Sequence, residues 1–207
     1  MKQTMTGTII IVLVVGALFT GELQGQAKKK SAKATPSQEE MMKRWQEAMT
    51  PGAAHKVLES MAGTWEAESR MWMNGPDAEP TVSKGTMVQT MMLGGRFLQQ
   101  TITSEMMGQP FTGTGYTGFD NFKKKYVGCW IDNMGTAMLT MGGSVDKSGK
   151  TLTMWGTMDE PMTGEKNKKV KYVTHIISPD KHIFEIFDIS AYGDKKPTMQ
   201  MTYIRKK

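Results

Sequence analysis

The chain reads as a mostly β protein, an antiparallel up-and-down barrel of about ten strands with helices and a signal segment ahead of it. Two observations carry that reading. Strand signals recur at near-regular spacing from Gly63 to the carboxyl end, and no helical period interrupts them. The turns between them are of hairpin length, and each has a mechanism, positive φ at glycine or fixed φ at proline. Strands joined so briefly pair as neighbours in an antiparallel meander. Left open, so wide a sheet exposes two edges; closing it removes them and encloses room for a small ligand.

The amino terminus opens with Lys2, an apolar run from Ile9 to Phe19 and the small residues Gly25 and Ala27, so residues 1–27 have the form of a secretory signal peptide. The run is shorter than the roughly 20 residues of a membrane-spanning helix, and an uncleaved anchor over residues 8–20 is the alternative. Either way the expected compartment is exported, periplasmic or secreted. Residues 28–36 form a basic linker without periodicity.

Ser37, with Glu40 three residues on, has the spacing of a capping box and predicts a helix to about Met49. Its stripe of Met41, Trp45, Ala48 and Met49 recurs at helical intervals, which predicts that it docks on something. Pro51 and Gly52 break it, and a second helix follows over Ala53–Met61. Residues 37–61 are therefore expected to pack on or near a barrel domain spanning residues 62–207.

At Gly63 the period changes to two. Trp65, Ala67, Ser69, Met71 and Met73 face one way, and Glu66, Glu68, Arg70 and Trp72 the other. Further strands are predicted over Thr81–Leu93, Arg96–Met106, Gln109–Asp120, Lys125–Asp132, Ala137–Val145, Thr151–Met158, Lys168–Ile177, His182–Ser190 and Thr198–Arg205. The hairpin from Gly113 to Thr136 anchors the set. Phe111, Gly113, Gly115, Thr117 and Phe119 share one face, opposite Tyr116, and the glycines predict a bend or a close approach by another group. Tyr126, Gly128, Trp130 and Asp132 share a face of the next strand. Trp130, Asp132 and Asn133 fit either a ligand-contacting cluster or a packed ring followed by a side-chain-bonded turn.

The net charge is +6, with lysines at 28–30, 123–125, 166–171 and the carboxyl end. These lie in turns and tails rather than on one face, so no nucleic-acid partner is expected. Cys129 is the only cysteine, so no internal disulfide forms and stability rests on packing.

Several motifs together carry a family resemblance: Gly63-Thr64-Trp65, Leu93 through Leu98, Gly118-Phe119-Asp120-Asn121, Trp130 through Thr136, Asp159 through Gly164, and His182 with Phe184 and Glu185. Over about residues 49–205 the chain resembles the bacterial family called domain of unknown function 1579. The Gly63-x-Trp65 element after a short helix is also similar to the opening of calycin-type, lipocalin-like barrels. That resemblance implies that Trp65 closes one end of the barrel and that Arg205 in the last strand packs across it by a cation–π contact.

Neither resemblance brings an activity, so function is read from the residues. The 21 methionines suit an adaptable apolar site, which makes a noncatalytic exported barrel holding a small apolar ligand the leading expectation; a barrel filled by the same side chains is the alternative. Met71, Tyr116 and Trp130 are the expected ligand contacts, with Arg96 and His182 as polar partners. Met71 with Met73 and Met199 with Met201 offer soft ligands for Cu(I), and His175 and His182 are candidates for haem iron. No cluster has metal-site spacing, however, and no cofactor is expected. A Gly-x-Ser-x-Gly elbow, a His-Glu-x-x-His pair and a Walker loop are all missing. Gly113-x-Gly115-x-x-Gly118 fits the dinucleotide pattern only in letters, because it lies inside a strand with no helix after it. Membrane contact is expected only through an uncleaved leader.

Overall fold

The computed structural model describes residues 35–75 and 77–207. The signal segment, the alternative anchor over residues 8–20 and the linker through residue 34 lie outside the described residues. Among the described residues no helix is long and apolar enough to cross a membrane.

Ten strands follow two helices: β1 (Gly63–Met71), β2 (Thr81–Met92), β3 (Phe97–Met106), β4 (Gln109–Asp120), β5 (Lys125–Asp132), β6 (Leu139–Val145), β7 (Thr151–Glu160), β8 (Glu165–Ser178), β9 (Lys181–Asp188) and β10 (Met199–Arg205). Each pairs antiparallel with the next, and β1 pairs with β10 to close the barrel. The register sets Trp65 opposite Arg205, Gln100 opposite Gly115, and Gly115 opposite Trp130. Because side chains alternate across a strand, such a register puts one parity of each strand inside all the way round.

Strand ends differ from the sequence expectation where local bonds compete with the ladder. The strand expected to run to Ser190 stops at Asp188, whose carboxylate accepts from the Ala191 N–H at 3.1 Å and from the Ser190 hydroxyl at 3.1 Å. These bonds cap a helical turn, α3 (Ile189–Tyr192), in place of continued strand. Strand β8 begins earlier than its apolar pattern suggested, at Glu165, because its polar first residues belong to a hairpin standing away from the core.

The helices are α1 (Gln38–Met49) and α2 (Ala53–Met61). Both halves of the capping box form at α1: the Glu40 N–H donates to Ser37 Oγ at 3.2 Å, and the Ser37 N–H donates to Glu40 Oε2 at 2.9 Å. The expected docking of its apolar stripe is corrected by the structure. No residue of α1 is buried, and Met41, Met42, Trp45 and Met49 are exposed. The reason is that α2 takes the barrel end. Leu58 and Met61 enter a core cluster with Leu98, Tyr126, Met154 and Tyr172, so α2 rather than α1 covers the core at that end. Only the carboxyl end of α1 is held. Asn121 Nδ2 donates to the carbonyls of Glu47, Ala48 and Thr50, and Arg96 Nη2 donates to the Met49 carbonyl at 2.8 Å.

A second core cluster of Trp65, Ala67, Met87, Ile102, Phe111, Met201 and Tyr203 lies on the β1–β4 and β10 side of the barrel. The first cluster draws mainly on β5, β7 and β8, and the two walls meet at β3, which gives Leu98 to one and Ile102 to the other.

Candidate functional site

Between those walls lies a cavity of about 240 Å³. It runs from Met61 and His182 near the α2 end to Met106, Met134 and Met199 at the opposite mouth. Hairpin glycines shape one wall. A side chain at Gly113 or Gly115 would overlap the Trp130 ring, so glycine at both positions lets the indole lie flat against β4. The ring is then fixed by its strand neighbour on the same face. Trp130 Nε1 donates to Asp132 Oδ2 at 2.9 Å, and Asp132 Oδ1 accepts from the Met134 N–H at 2.9 Å. Asn133 ties the same corner to β4, accepting from the Thr112 N–H at 3.0 Å and donating to the Pro110 carbonyl at 2.9 Å. The turn is side-chain bonded, as one of the two sequence readings had it, and the ring it positions lines the cavity.

Most of the remaining lining is soft and apolar, with Met87, Met141, Met154, Met199 and Met201 among aromatic and aliphatic neighbours, and Gln100, Thr117 and Thr174 add uncharged polar groups. Among the described residues no lysine or arginine lines it, and Asp132 is the one carboxylate that does. Such walls solvate apolar groups and carry few groups able to move a proton.

His182 is the exception. It is 2% exposed, stacks on Tyr203 at a centroid distance of 4.5 Å, and meets the Trp65 ring edge-on at 4.3 Å. Gln89 Nε2 lies 3.2 Å from His182 Nε2. With the Gln89 amide nitrogen donating, the imidazole accepts at Nε2 and the neutral ring carries its proton on Nδ1. Burial, reinforced by the positive charge of Arg205, lowers the His182 pKa to about 4, and the ring is neutral at pH 7. His182 Nδ1 and Gln89 Oε1 are both buried without a hydrogen-bond partner among the described residues. The same burial pushes the Tyr203 phenol far up.

Below this layer the end is sealed. Arg205 Cζ stands 4.0 Å over the Trp65 ring, and Trp65 Nε1 donates to the Met61 carbonyl at 3.0 Å. The Tyr126 hydroxyl donates to the Ala54 carbonyl at 2.8 Å. His55 works within its own helix: its Nδ1 accepts from the Gly52 N–H at 3.0 Å.

Of the five expected ligand contacts, Trp130 and His182 line the cavity, and three do not. Tyr116 is on the outer face, 39% exposed, because the alternation that turns Phe111 and Thr117 inward turns it outward. Arg96 is spent in the β2–β3 turn, donating to the carbonyls of Leu93 and Met49. Met71 ends β1 opposite Met199 and Thr81, and its side chain does not line the cavity. The two histidines considered for haem iron do not share a site. His175 is outside, its Nε2 3.3 Å from Glu185 Oε2, whereas His182 is inside. Among the described residues no group of three or more His, Cys, Asp or Glu is placed to hold a metal ion. Sequence reasoning missed Gln89 and Tyr203. Each sits at an inward position of a strand, but nothing in the chain marks Gln89 as the partner of a histidine on another strand.

The barrel is similar to the crystal structure of Rv2717c from M. tuberculosis, with a TM-score of 0.54 and 14% sequence identity over 76% of this chain and 100% of that one. At that identity the likeness is one of fold. No curated protein matches the chain in sequence. The family model described as protein of unknown function (DUF1579) matches residues 50–205, from the break between the helices to the last strand, and the chain belongs to that family.

Proposed function

We propose that the protein is a noncatalytic binding protein that holds a small, neutral, apolar molecule inside the barrel. The observation that supports this is the cavity of about 240 Å³ walled by thioethers and rings. A cavity of about 150 Å³ takes benzene, so this one suits a molecule of roughly ten non-hydrogen atoms, and flexible methionines widen that range. The charge of the ligand follows from the wall. Among the described residues no cation lines the chamber, Asp132 is already occupied by Trp130 and Met134, and His182 is neutral at pH 7, so a buried anion finds no countercharge among them. Trp130 is the flat contact and His182 the polar one. The competing arrangement is a barrel whose methionines close up and fill the space.

We also place the protein outside the cytoplasm, on the strength of Lys2 and the Ile9–Phe19 run. An amino-terminal mass matching cleavage near Ala27 supports this, and an intact leader on the exported fraction argues for the anchor.

Native mass spectrometry of protein purified from its own source, set against the denatured mass, tests the ligand directly. A retained neutral mass is expected, together with uptake of a fluorescent apolar probe that Met141→Trp abolishes. No retained mass, and either no uptake or uptake indifferent to that substitution, identifies the filled barrel.

A further inference from the structure

In the sequence the lysine clusters appear scattered, but the barrel gathers several of them. In an up-and-down barrel the turns after β2, β4, β6 and β8 and the tail after β10 all lie at one end, here the end plugged by α2. That end carries Lys123, Lys124, Lys147, Lys150, Lys206 and Lys207, all exposed. The carboxylates of its barrel turns are engaged, while α1 adds Glu39, Glu40 and Glu47 beside Lys43 and Arg44. Asp120 accepts from the amides of Phe122 and Lys123, Asp146 from the amides of Lys150 and Thr151, and Asp180 pairs with Arg205 at 3.3 Å. Apart from Lys123, which stands 3.6 Å from Asp120, none of the six lysines has a salt-bridge partner among the described residues.

Exposed apolar side chains stand at the same end. Phe122, 88% exposed, is at the tip of the β4–β5 turn beside Lys123 and Lys124, and Leu93, 69% exposed, is at the β2–β3 turn. Asn121 and Arg96 of these two turns hold the carboxyl end of α1, whose uncovered stripe includes Met41 and Trp45. In sequence, Lys28, Lys29, Lys30 and Lys33 lead directly into that helix. An amphipathic helix with an exposed Trp, an exposed Phe between lysines, and an excess of positive charge is the combination that partitions into an anionic lipid interface.

We propose that the α2 end of the barrel, with α1, docks on an anionic membrane surface. The apolar stripe of α1 and Phe122 enter the headgroup boundary while the turn lysines meet lipid phosphates. The cavity mouth, at the opposite end, then faces away from the bilayer.

Hydrogen exchange on the full chain tests this, with vesicles of phosphatidylcholine alone and of phosphatidylcholine with phosphatidylglycerol. The amides of α1 and of the turn at residues 121–124 are expected to slow only on the anionic vesicles. Replacing Lys123→Ala and Lys124→Ala together is expected to weaken that partitioning about thirtyfold, at about 1 kcal/mol per lysine. Trp45→Ser is expected to remove the slowing in α1 without altering the exchange of the barrel strands. Equal exchange on the two vesicle types overturns the proposal, including the case in which the amino-terminal run alone brings the chain to both. Slowing of α1 that grows with protein concentration in the absence of lipid also overturns it, because the stripe is then covered by a second copy.

Discussion

Arg205 lies across Trp65 and, with the same guanidinium, donates to the Ala62 carbonyl at 2.8 Å and the Ser60 carbonyl at 3.3 Å. Those carbonyls end α2 and have no donor within the helix. One side chain from the last strand therefore joins the first strand to the helical plug. Gly63 makes room for it, since a side chain at that position, with φ +142°, would overlap the guanidinium.

Removing this contact is expected to loosen the closed end. Arg205→Met loses the carbonyl bonds while keeping part of the stacking, and is expected to destabilise the fold by about 2 kcal/mol. Arg205→Lys is expected to recover less than half of that, because an ammonium does not spread over the ring while reaching both carbonyls. Denaturant midpoints at unchanged slope measure both. A stable Arg205→Met would show that the end is sealed by α2 packing alone.

His182 makes the fold acid-sensitive. Its pKa is about 4 when folded, against an ordinary value of 6.5, so between those two values the unfolded chain binds the proton and the native state does not. The stability this group confers is complete above pH 6.5 and is lost as the pH falls toward 4, a loss of order 3 kcal/mol. His182→Gln removes the titration and can still accept from Gln89. Its stability profile is expected to be flatter over that window; a profile parallel to the wild type would assign the acid sensitivity elsewhere.

The wall formed by β4 and Trp130 predicts non-additivity. Gly113→Val puts a branched side chain where the indole lies and is expected to cost about 3 kcal/mol. In a Trp130→Leu background the same change is expected to cost much less, since the obstructing ring is gone. Thermal midpoints of the four proteins decide it, and equal costs in both backgrounds would mean that strand conformation, not the ring, requires glycine.

Lys168 and Asp188 form a nearly buried pair at 2.6 Å, with side chains 9% and 17% exposed. The hydrogen bond to Asp188 outweighs burial and raises the lysine pKa. On the aspartate, burial pushes upward, but bonds from Lys168, the Ala191 amide and Ser190 hold its pKa below the ordinary value. Lys168→Met leaves that carboxylate without its cation and is expected to cost about 3 kcal/mol. Adding Asp188→Asn, which keeps the cap on α3, is expected to restore most of it. If the double variant is no more stable than the single one, the loss came from lysine packing.

Periodicity made the strands legible. Alternation from Trp65 onward, and turn chemistry at residues such as Gly94 and Gly108, are local properties of the chain, and ten antiparallel strands in consecutive order followed from them. The capping box at Ser37 was legible for the same reason, since both of its bonds lie within three residues. Part of the cavity wall was also readable. Trp130 shares a parity with Tyr126 and Gly128, and parity decides whether a side chain enters the barrel. Tyr116 fell outside by that same rule, and Asp188 ended β9 because its side chain bonded the backbone ahead of it.

What remained depended on which distant residues meet. Gln89 reaches His182 across 93 positions of chain, and Arg205 reaches the Ala62 carbonyl across 143. Competition for one barrel end left the stripe of α1 bare and buried Leu58 and Met61 of α2. Hairpin topology likewise collected turns far apart in sequence into one basic end. Local chemistry determined the elements and their faces, because each depends on neighbours a few residues away. The neutrality of His182, the room left inside the barrel and the uncovered face of α1 were decided only when closure brought distant strands together, because burial and packing are properties of that assembly.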